Sequence, residues 1–237
     1  MQGMIKDKKT IIILLSVFFA IELALLVAIQ HTFGLWNTCL CYSAIALAFL
    51  FLWLSFEKRF DFLFTAIALF GTLMADLFLV VIEPMHQLPA MIFFSVTQLA
   101  YFARILTNTK NKTVLVTHII TRCALSVIAV AATAAVLGSK TDAVALVSLF
   151  YFANLIVNVA FAFVNFKGDC VLAIGLLLFL LCDFFVGMSM MGDYIAVNEG
   201  SILYFLAHPG FNAAWLFYVP SQALLASSIL LRRLCRK

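Results

Sequence analysis

The sequence predicts an all-α fold: a polytopic membrane helical bundle of eight transmembrane helices with both termini in the cytoplasm. Of the 237 residues, 65% are hydrophobic and only 11% are charged, and the mean hydropathy is +1.14. Soluble domains carry about 25% charged residues. Apolar segments near the spanning length of about 20 residues recur along the chain. These segments are too long and too apolar for barrel strands, so we expect helices, which satisfy their own backbone in lipid.

The elements follow from the apolar segments in chain order. A polar start with Lys6, Lys8 and Lys9 resembles a signal peptide, but the apolar run behind it is too long and no cleavage site follows. We therefore keep this run as the first helix. The longest connection, from Gly192 to Gly210, is a candidate lid on the outer side. The predicted spans cover about residues 10–31, 37–55, 61–82, 89–107, 113–137, 142–165, 170–191 and 211–231.

The basic residues of the loops set the predicted orientation. With eight helices and a cytoplasmic N-terminus, the outer segments hold Lys140 alone, whereas Arg104 lies near the inner end of the fourth helix. This asymmetry follows the positive-inside rule, which seven helices would break. The inner segments hold Lys6, Lys8, Lys9, Lys58, Arg59, Lys110, Lys112, Lys167, Arg232, Arg233, Arg236 and Lys237.

We expect a single transmembrane domain over residues 1–237. A weak internal repeat suggests two parallel four-helix halves, at about 1–110 and 111–237. In each half, a helix with an aspartate late in its length precedes a helix with a tyrosine and a glutamine. Coincidence is the alternative explanation.

Two intramembrane aspartates are the strongest candidates for chemistry. Asp76 interrupts the apolar run from Phe70 to Val81, and Asp183 interrupts the run from Leu178 to Val186. An aspartate at a helix centre costs about 2.5 to 3.5 kcal/mol, so such residues normally face a bundle interior or a wet cavity. Both lie past the middle of outward-running helices, and we expect them to converge on one cavity. Two carboxylates in a dry pocket can differ in protonation and so supply an acid and a base.

Other polar residues of the spans are secondary candidates. Glu22 and Arg122 lie near the middle of their helices, and a buried ion pair between them is the economical interpretation. Asn154 and Asn158 share one helix face, where hydrogen bonding between helices is the simplest role. The candidates for substrate binding are Gln98, Tyr101, Tyr218, Gln222, Glu22, Arg122 and Asn158.

Several classes of function are disfavoured by the sequence. The net charge of +4 is spread over several loops, which is an orientation signal, so we expect no nucleic-acid partner. No lysine lies in the core of a span, which excludes a retinal Schiff base, and no Gly-x-Ser-x-Gly or His-Glu-x-x-His motif occurs. The six cysteines suit small buried hydrophobes, and the histidines match no zinc pattern, so we expect neither metal nor cofactor.

At these residues the sequence resembles the lysoplasmalogenase (YhhN) family of eight-helix membrane proteins. The family carries a Gly-Asp, a His-x-x-Tyr, a Ser-Asp and a Tyr-x-x-x-Gln in this order. The corresponding positions here are Ala75-Asp76, Gln98-Leu99-Ala100-Tyr101, Cys182-Asp183 and Tyr218-Val219-Pro220-Ser221-Gln222. The resemblance implies hydrolysis of the vinyl ether of a lysoplasmalogen, with Asp76 and Asp183 as acid and base. It also implies that Gln98, Tyr101, Tyr218 and Gln222 orient water and substrate.

Three positions depart from the family pattern: alanine for glycine, cysteine for serine, and Gln98 for histidine. Glutamine can form hydrogen bonds but cannot shuttle a proton near neutral pH. A divergent hydrolase and a relative without the activity are both open interpretations.

Two further classes of function stay open at the level of the sequence. Intramembrane carboxylates in repeated halves also suit a proton-coupled transporter or a lipid-binding membrane protein. A zinc-dependent membrane amidase is the second enzymatic alternative. For the hydrolase, we expect a lysophospholipid substrate and a location in a bilayer, namely the bacterial inner membrane, with the oligomeric state undetermined.

Overall fold

The computed structural model describes residues 7–56, 59–82, 85–195 and 198–235, and the described chain is helical without strands. Within these ranges, eight helices are long and apolar enough to cross a membrane. The predicted all-α bundle with eight spans is therefore confirmed, and the chain is a multi-pass membrane protein. The helices are α1 (Lys8–His31), α2 (Gly34–Leu52), α3 (Phe60–Asp76), α4 (Gln87–Asn108), α5 (Lys112–Leu137), α6 (Ala143–Val164), α7 (Cys170–Met190), α8 (Ile202–Ala207) and α9 (Ala213–Cys235).

The sequence located the spanning helices closely but missed one short element. The six-residue helix α8 lies inside the connection from Gly192 to Gly210, for which the sequence analysis predicts no helix, and it packs against α7. The eighth span is therefore α9. Short turns extend four spans: a π-helical turn at Leu77–Val81 follows α3, and 3-10 turns at Trp53–Ser55, Gly138–Lys140 and Met191–Asp193 follow α2, α5 and α7.

Side-chain caps explain where several helices begin. Asp7, Asn111, Asp142, Asp169 and Ser201 precede α1, α5, α6, α7 and α8, and each side chain accepts a hydrogen bond from a backbone N–H of the first turn. The first amide groups of a helix lack intrahelical partners, so such a cap satisfies them at the membrane boundary.

The packing order places α9 inside the bundle. It contacts α1, α2, α3 and α7, and α7 is its most extensive neighbour. On the other side, α3 packs against α4, α4 packs against α6, and α6 contacts both α5 and α7. Helix α5 lies at the edge, because its buried residues are only His118, Arg122 and Thr133. We call the side where α1 begins and α9 ends the proximal side, and the opposite one the distal side.

A buried polar cluster joins the proximal ends of four helices. The fully buried Arg104 donates to Thr65 and Ser228 at 2.8 Å each and to Asp169 at 2.7 Å. Arg232 near the end of α9 forms ion pairs with Asp169 and with Asp61 at the start of α3. Two arginines thus face two aspartates, and the cluster compensates its own charges.

The proximal side corresponds to the predicted cytoplasmic face. The two described ends of the chain lie on this one side, as an even number of spans requires. Which side faces the cytoplasm and whether the chain divides into two parallel halves stay predictions. Of the basic residues that gave the orientation, Lys6, Lys58, Arg236 and Lys237 lie outside the described residues.

At Gly71 helix α3 lies close against α4, and this contact predicts a stability effect. A Cβ atom at Gly71 would lie 2.6 Å from the Thr97 Oγ1 and 3.2 Å from the Phe93 carbonyl oxygen. We expect Gly71→Leu to destabilise the fold by about 1–3 kcal/mol, because overpacking forces the backbones apart. Thermal unfolding in detergent measures this effect.

The matched control is Gly187→Leu in α7, where a Cβ atom would meet nothing within 4 Å. Equal unfolding temperatures for the two variants would contradict the close packing of α3 on α4.

Candidate active site

Asp76 is the last α-helical residue of α3 and is only 3% exposed. The Tyr218 hydroxyl, from α9, donates a hydrogen bond of 2.7 Å to its Oδ2. The helix continues as the π-helical turn Leu77–Val81, in which the Ile82 N–H bonds to the Leu77 carbonyl at 3.0 Å. Single π-helical turns occur frequently at functional sites. The Asp76 carboxylate is thus held at the point where the α-helix changes to a π-helical turn.

Asp183 on α7 is held in the same manner by a different tyrosine. The Tyr151 hydroxyl, from α6, donates a hydrogen bond to the Asp183 Oδ2. Tyr151 is 5% exposed, and its ring stacks on Phe94 with a centroid distance of 5.5 Å. Each aspartate therefore accepts a phenol hydrogen bond from a neighbouring helix, and each tyrosine is itself fixed by packing.

Both aspartates and both tyrosines line one cavity of about 700 Å³. This volume lies in the range of small-molecule sites, about 300–1,000 Å³. Apart from these four residues, most of the wall is apolar and comes from α4, α5, α6, α7 and α9, including Phe94, Thr133, Phe152, Cys182, Phe184 and Trp215. The structure thus brings the two sequence-predicted carboxylates into one space.

The cavity occupies the distal half of the bundle. Asp183 lies seven residues before the end of α7, which corresponds to about 10 Å along a helix axis. At the distal end the wall includes Gln87, Asp193 and Tyr194. The first residues of the predicted lid connection therefore line the cavity, while its residues 196–197 lie outside the described residues.

The remaining predicted substrate-binding residues are not among those that line this cavity. Gln98, Tyr101 and Gln222 are each at most 1% exposed and lie in the bundle interior. Within the described chain, the Tyr101 hydroxyl and both amide atoms of Gln222 have no hydrogen-bond partner. Of the four residues expected to orient substrate, Tyr218 alone reaches the cavity wall, and a role for the others stays a prediction.

Arg122 belongs to a polar network in the middle of the bundle. Its guanidinium donates to the side-chain oxygens of Asn154 and Asn158 and lies 4.0 Å from the ring centroid of Phe102. Asn158 in turn donates to the Gln98 Oε1 at 2.9 Å. The network joins α4, α5 and α6, and the two asparagines perform the helix-joining role that the sequence indicated.

The expected ion pair between Glu22 and Arg122 is wrong. Among the described residues, Glu22 forms no ion pair, and its Oε1 has no hydrogen-bond partner. The physical reason is the packing order: α1 lies against α2 and α9, whereas α5 lies against α6. The ion pair was predicted from the similar depth of the two charges in the membrane, and depth alone does not show which helices are neighbours.

Tyr151 is the site residue that the sequence analysis missed. It precedes Asn154 by three residues and Asn158 by seven, so all three share one face of α6. The signal was therefore present in the asparagine pattern, but nothing in the sequence showed which carboxylate this face would meet.

The histidine and cysteine side chains take up other positions. His118 is buried and stacks on Phe161 with a centroid distance of 4.0 Å. Cys41 and Cys182 are buried, whereas Cys39, Cys123 and Cys170 are exposed. Among the described residues, no three histidine, cysteine, aspartate or glutamate side chains are grouped so that they could hold a metal ion.

The arrangement suits acid and base chemistry on an apolar molecule. Two carboxylates face one space, so one can donate a proton while the other accepts one or stabilises positive charge. The apolar wall keeps bulk water away and strengthens electrostatic interactions inside.

Comparison with known proteins agrees with this arrangement at the level of the family. Residues 36–229, which hold both aspartates and both tyrosines, match the YhhN family. Searches among curated proteins and among solved structures give no significant match.

The Arg122 network predicts a specific pattern of energetic coupling. We expect Arg122→Met and Asn158→Leu to be coupled by about 0.5–3 kcal/mol in unfolding free energy, because each leaves the other's buried group without its partner. Thermal or denaturant unfolding of the two single variants and the double variant measures this coupling.

Glu22→Gln combined with Arg122→Met is the matched comparison, and we expect its effects to add within about 0.5 kcal/mol. Strong coupling between Glu22 and Arg122 would indicate an ion pair between them and would contradict the structure.

Proposed function

The chain belongs to the YhhN family, and on this premise we propose that it is a membrane-embedded hydrolase of lysoplasmalogens. The reaction cleaves the vinyl ether bond and releases a fatty aldehyde and a glycerophospho-headgroup. The observation that supports this proposal most is the pair of carboxylates, Asp76 and Asp183, on the wall of one apolar cavity.

The chemistry of a vinyl ether explains why two carboxylates are suitable. One carboxylic acid transfers a proton to the alkenyl carbon remote from the oxygen, which leaves an oxocarbenium ion. The other carboxylate stabilises this cation and takes a proton from the attacking water, so a hemiacetal forms. The hemiacetal then breaks its bond to the glycerol oxygen, with a proton moving to that oxygen. Glycosidases divide the work between two carboxyl groups in a comparable way.

The two tyrosines would act as positioning residues in this mechanism. Tyr218 donates a hydrogen bond to Asp76 and Tyr151 donates one to Asp183, so each tyrosine engages one oxygen of its carboxylate and leaves the other for substrate or water. If the carboxylate side chains were unrestrained, the reaction would be slower, because small misplacements of catalytic groups reduce the rate strongly.

The departure at Gln98 does not remove a group from the cavity. Gln98 accepts a hydrogen bond from Asn158 and is not among the lining residues. The exchange of the family's histidine for glutamine therefore leaves both carboxylates in place, which favours a hydrolase that retains its activity. In this proposal the substrate is a lysophospholipid of the bilayer, the distal side faces outward, and the membrane is the bacterial inner membrane.

The first test is release of aldehyde from a lysoplasmalogen by the purified protein. We expect Asp76→Asn and Asp183→Asn each to lower turnover by about 10²- to 10⁴-fold, the usual contribution of a general acid or base. Asparagine keeps the size of the side chain without a carboxylic acid, so folding is preserved.

The matched control is Asp142→Asn, an exposed carboxyl on the distal side whose capping role asparagine also fulfils. Full turnover by Asp76→Asn would end the two-carboxylate mechanism. Binding of the lipid without any product would instead favour a lipid-binding protein.

The positioning role predicts a smaller effect for the tyrosines. We expect Tyr151→Phe and Tyr218→Phe to lower kcat by roughly tenfold, because each removes one hydrogen bond to a charged group but keeps the ring. Steady-state kinetics should show this loss in kcat with little change in KM. Tyr204→Phe, in the short helix α8, is the control and should leave kcat unchanged; an equal loss there would argue against specific positioning.

A further inference from the structure

Some residues that line the cavity also lie on the outer surface of the bundle. At the deep end, Asp76, Tyr151 and Tyr218 are each at most 5% exposed. Near α5 and α7 the same wall contains Val136 at 77% and Phe184 at 38% exposure. The cavity is therefore closed around Asp76 and open along one side, and Asp183 is partly buried.

The packing of α5 explains this opening. Helix α5 packs against α6, and it has no comparable contact with α7 among the described residues. A gap remains between α5 and α7, and Leu149 of α6, at 40% exposure, lies at its base. We call this gap the slot; Ala132 and Val136 of α5 and Phe184 and Gly187 of α7 border it.

The residues that border the slot suit contact with the hydrocarbon of a bilayer rather than with water. Its four bordering residues lie within the apolar spans of α5 and α7, and none of them is polar. Ala132 and Gly187 are small, and a Cβ atom at Gly187 would meet no other atom within 4 Å. The smallest residues thus lie at the border of the slot, where they leave room for a hydrocarbon chain.

We propose that a single hydrocarbon chain of a membrane lipid enters the cavity sideways through the slot, from the distal leaflet. The identity of this lipid as a lysoplasmalogen rests on the proposed function, whereas the route itself rests on the geometry of α5, α6 and α7.

The depth of the carboxylates fits a lipid that enters in this way. Asp183 lies about 10 Å from the distal end of α7. The headgroup region on each side of a bilayer is only several ångströms thick, because about 30 Å of a total of about 40–45 Å is hydrocarbon. A lipid in the distal leaflet would therefore keep its headgroup near Gln87, Asp193 and Tyr194, and the junction of glycerol and chain would reach toward the carboxylates.

Trp215 provides a readout of entry that does not depend on turnover. It lines the cavity and lies 5.3 Å from Tyr218, measured between ring centroids. In a Trp36→Phe, Trp53→Phe background, Trp215 is the one remaining tryptophan. A lysolipid with a bromine- or nitroxide-labelled chain should quench its fluorescence when the chain enters the cavity.

The test narrows the slot with the series Gly187→Ala, Gly187→Leu and Gly187→Phe in nanodiscs. We expect quenching by the labelled lysolipid to become slower as the side chain grows, at least tenfold for Gly187→Phe, with an unchanged unfolding temperature. The matched control is Ala135→Phe, on an exposed part of α5 that does not line the cavity. This control should quench at the unmodified rate.

Equal quenching rates for Gly187→Phe and the unmodified protein would overturn the lateral route. Entry from the distal end would then be indicated if Gln87→Phe, which adds bulk at that end and no tryptophan, slowed quenching instead. This outcome can be distinguished from a failure of the proposed function. Quenching that depends on the slot, without aldehyde release, supports the lateral route and counts against the hydrolase. Aldehyde release that is unaffected by Gly187→Phe supports the hydrolase and counts against the lateral route.

Discussion

The structure depends on how two carboxylates are kept inside an apolar bundle. Each intramembrane aspartate costs about 2.5 to 3.5 kcal/mol on the insertion scale. A hydrogen bond to a charged group returns about 1.5–3 kcal/mol, so one tyrosine for each aspartate offsets much of this cost but leaves no surplus. The site is therefore a region of low stability that the rest of the fold must hold in place. The contacts of α3 with α9 and of α6 with α7 do so, because they carry the two tyrosine–aspartate pairs.

The polar residues of the interior are arranged in three layers with different roles. The distal layer contains the two tyrosine–aspartate pairs and meets the cavity. The middle layer, around Arg122 and Asn158, joins α4, α5 and α6 without touching the cavity. The proximal layer around Arg104 compensates its own charges and ties four helices together. The candidate site at one end of the bundle is thus separated from the ion pairs and hydrogen bonds that join the helices at the other end.

The sequence predicted the features that depend on a single segment of the chain. Hydropathy and length located all eight spans, and the rarity of intramembrane carboxylates singled out Asp76 and Asp183. Relations between helices could not be predicted in this way, because depth and charge do not determine which helices are neighbours. The pairing of Glu22 with Arg122 failed for this reason, and Tyr151 was missed although its face of α6 had been recognised. The slot was also beyond the sequence, since it results from how little α5 packs against α7.

The most direct test of a shared site is a double-mutant cycle on aldehyde release with Asp76→Asn, Asp183→Asn and the double variant. Residues that act as one unit are strongly non-additive in kcat. The double variant should therefore be about as slow as the slower single variant. Losses that simply multiply would mean that the two carboxylates act independently, and the account of a single two-aspartate site would be contradicted.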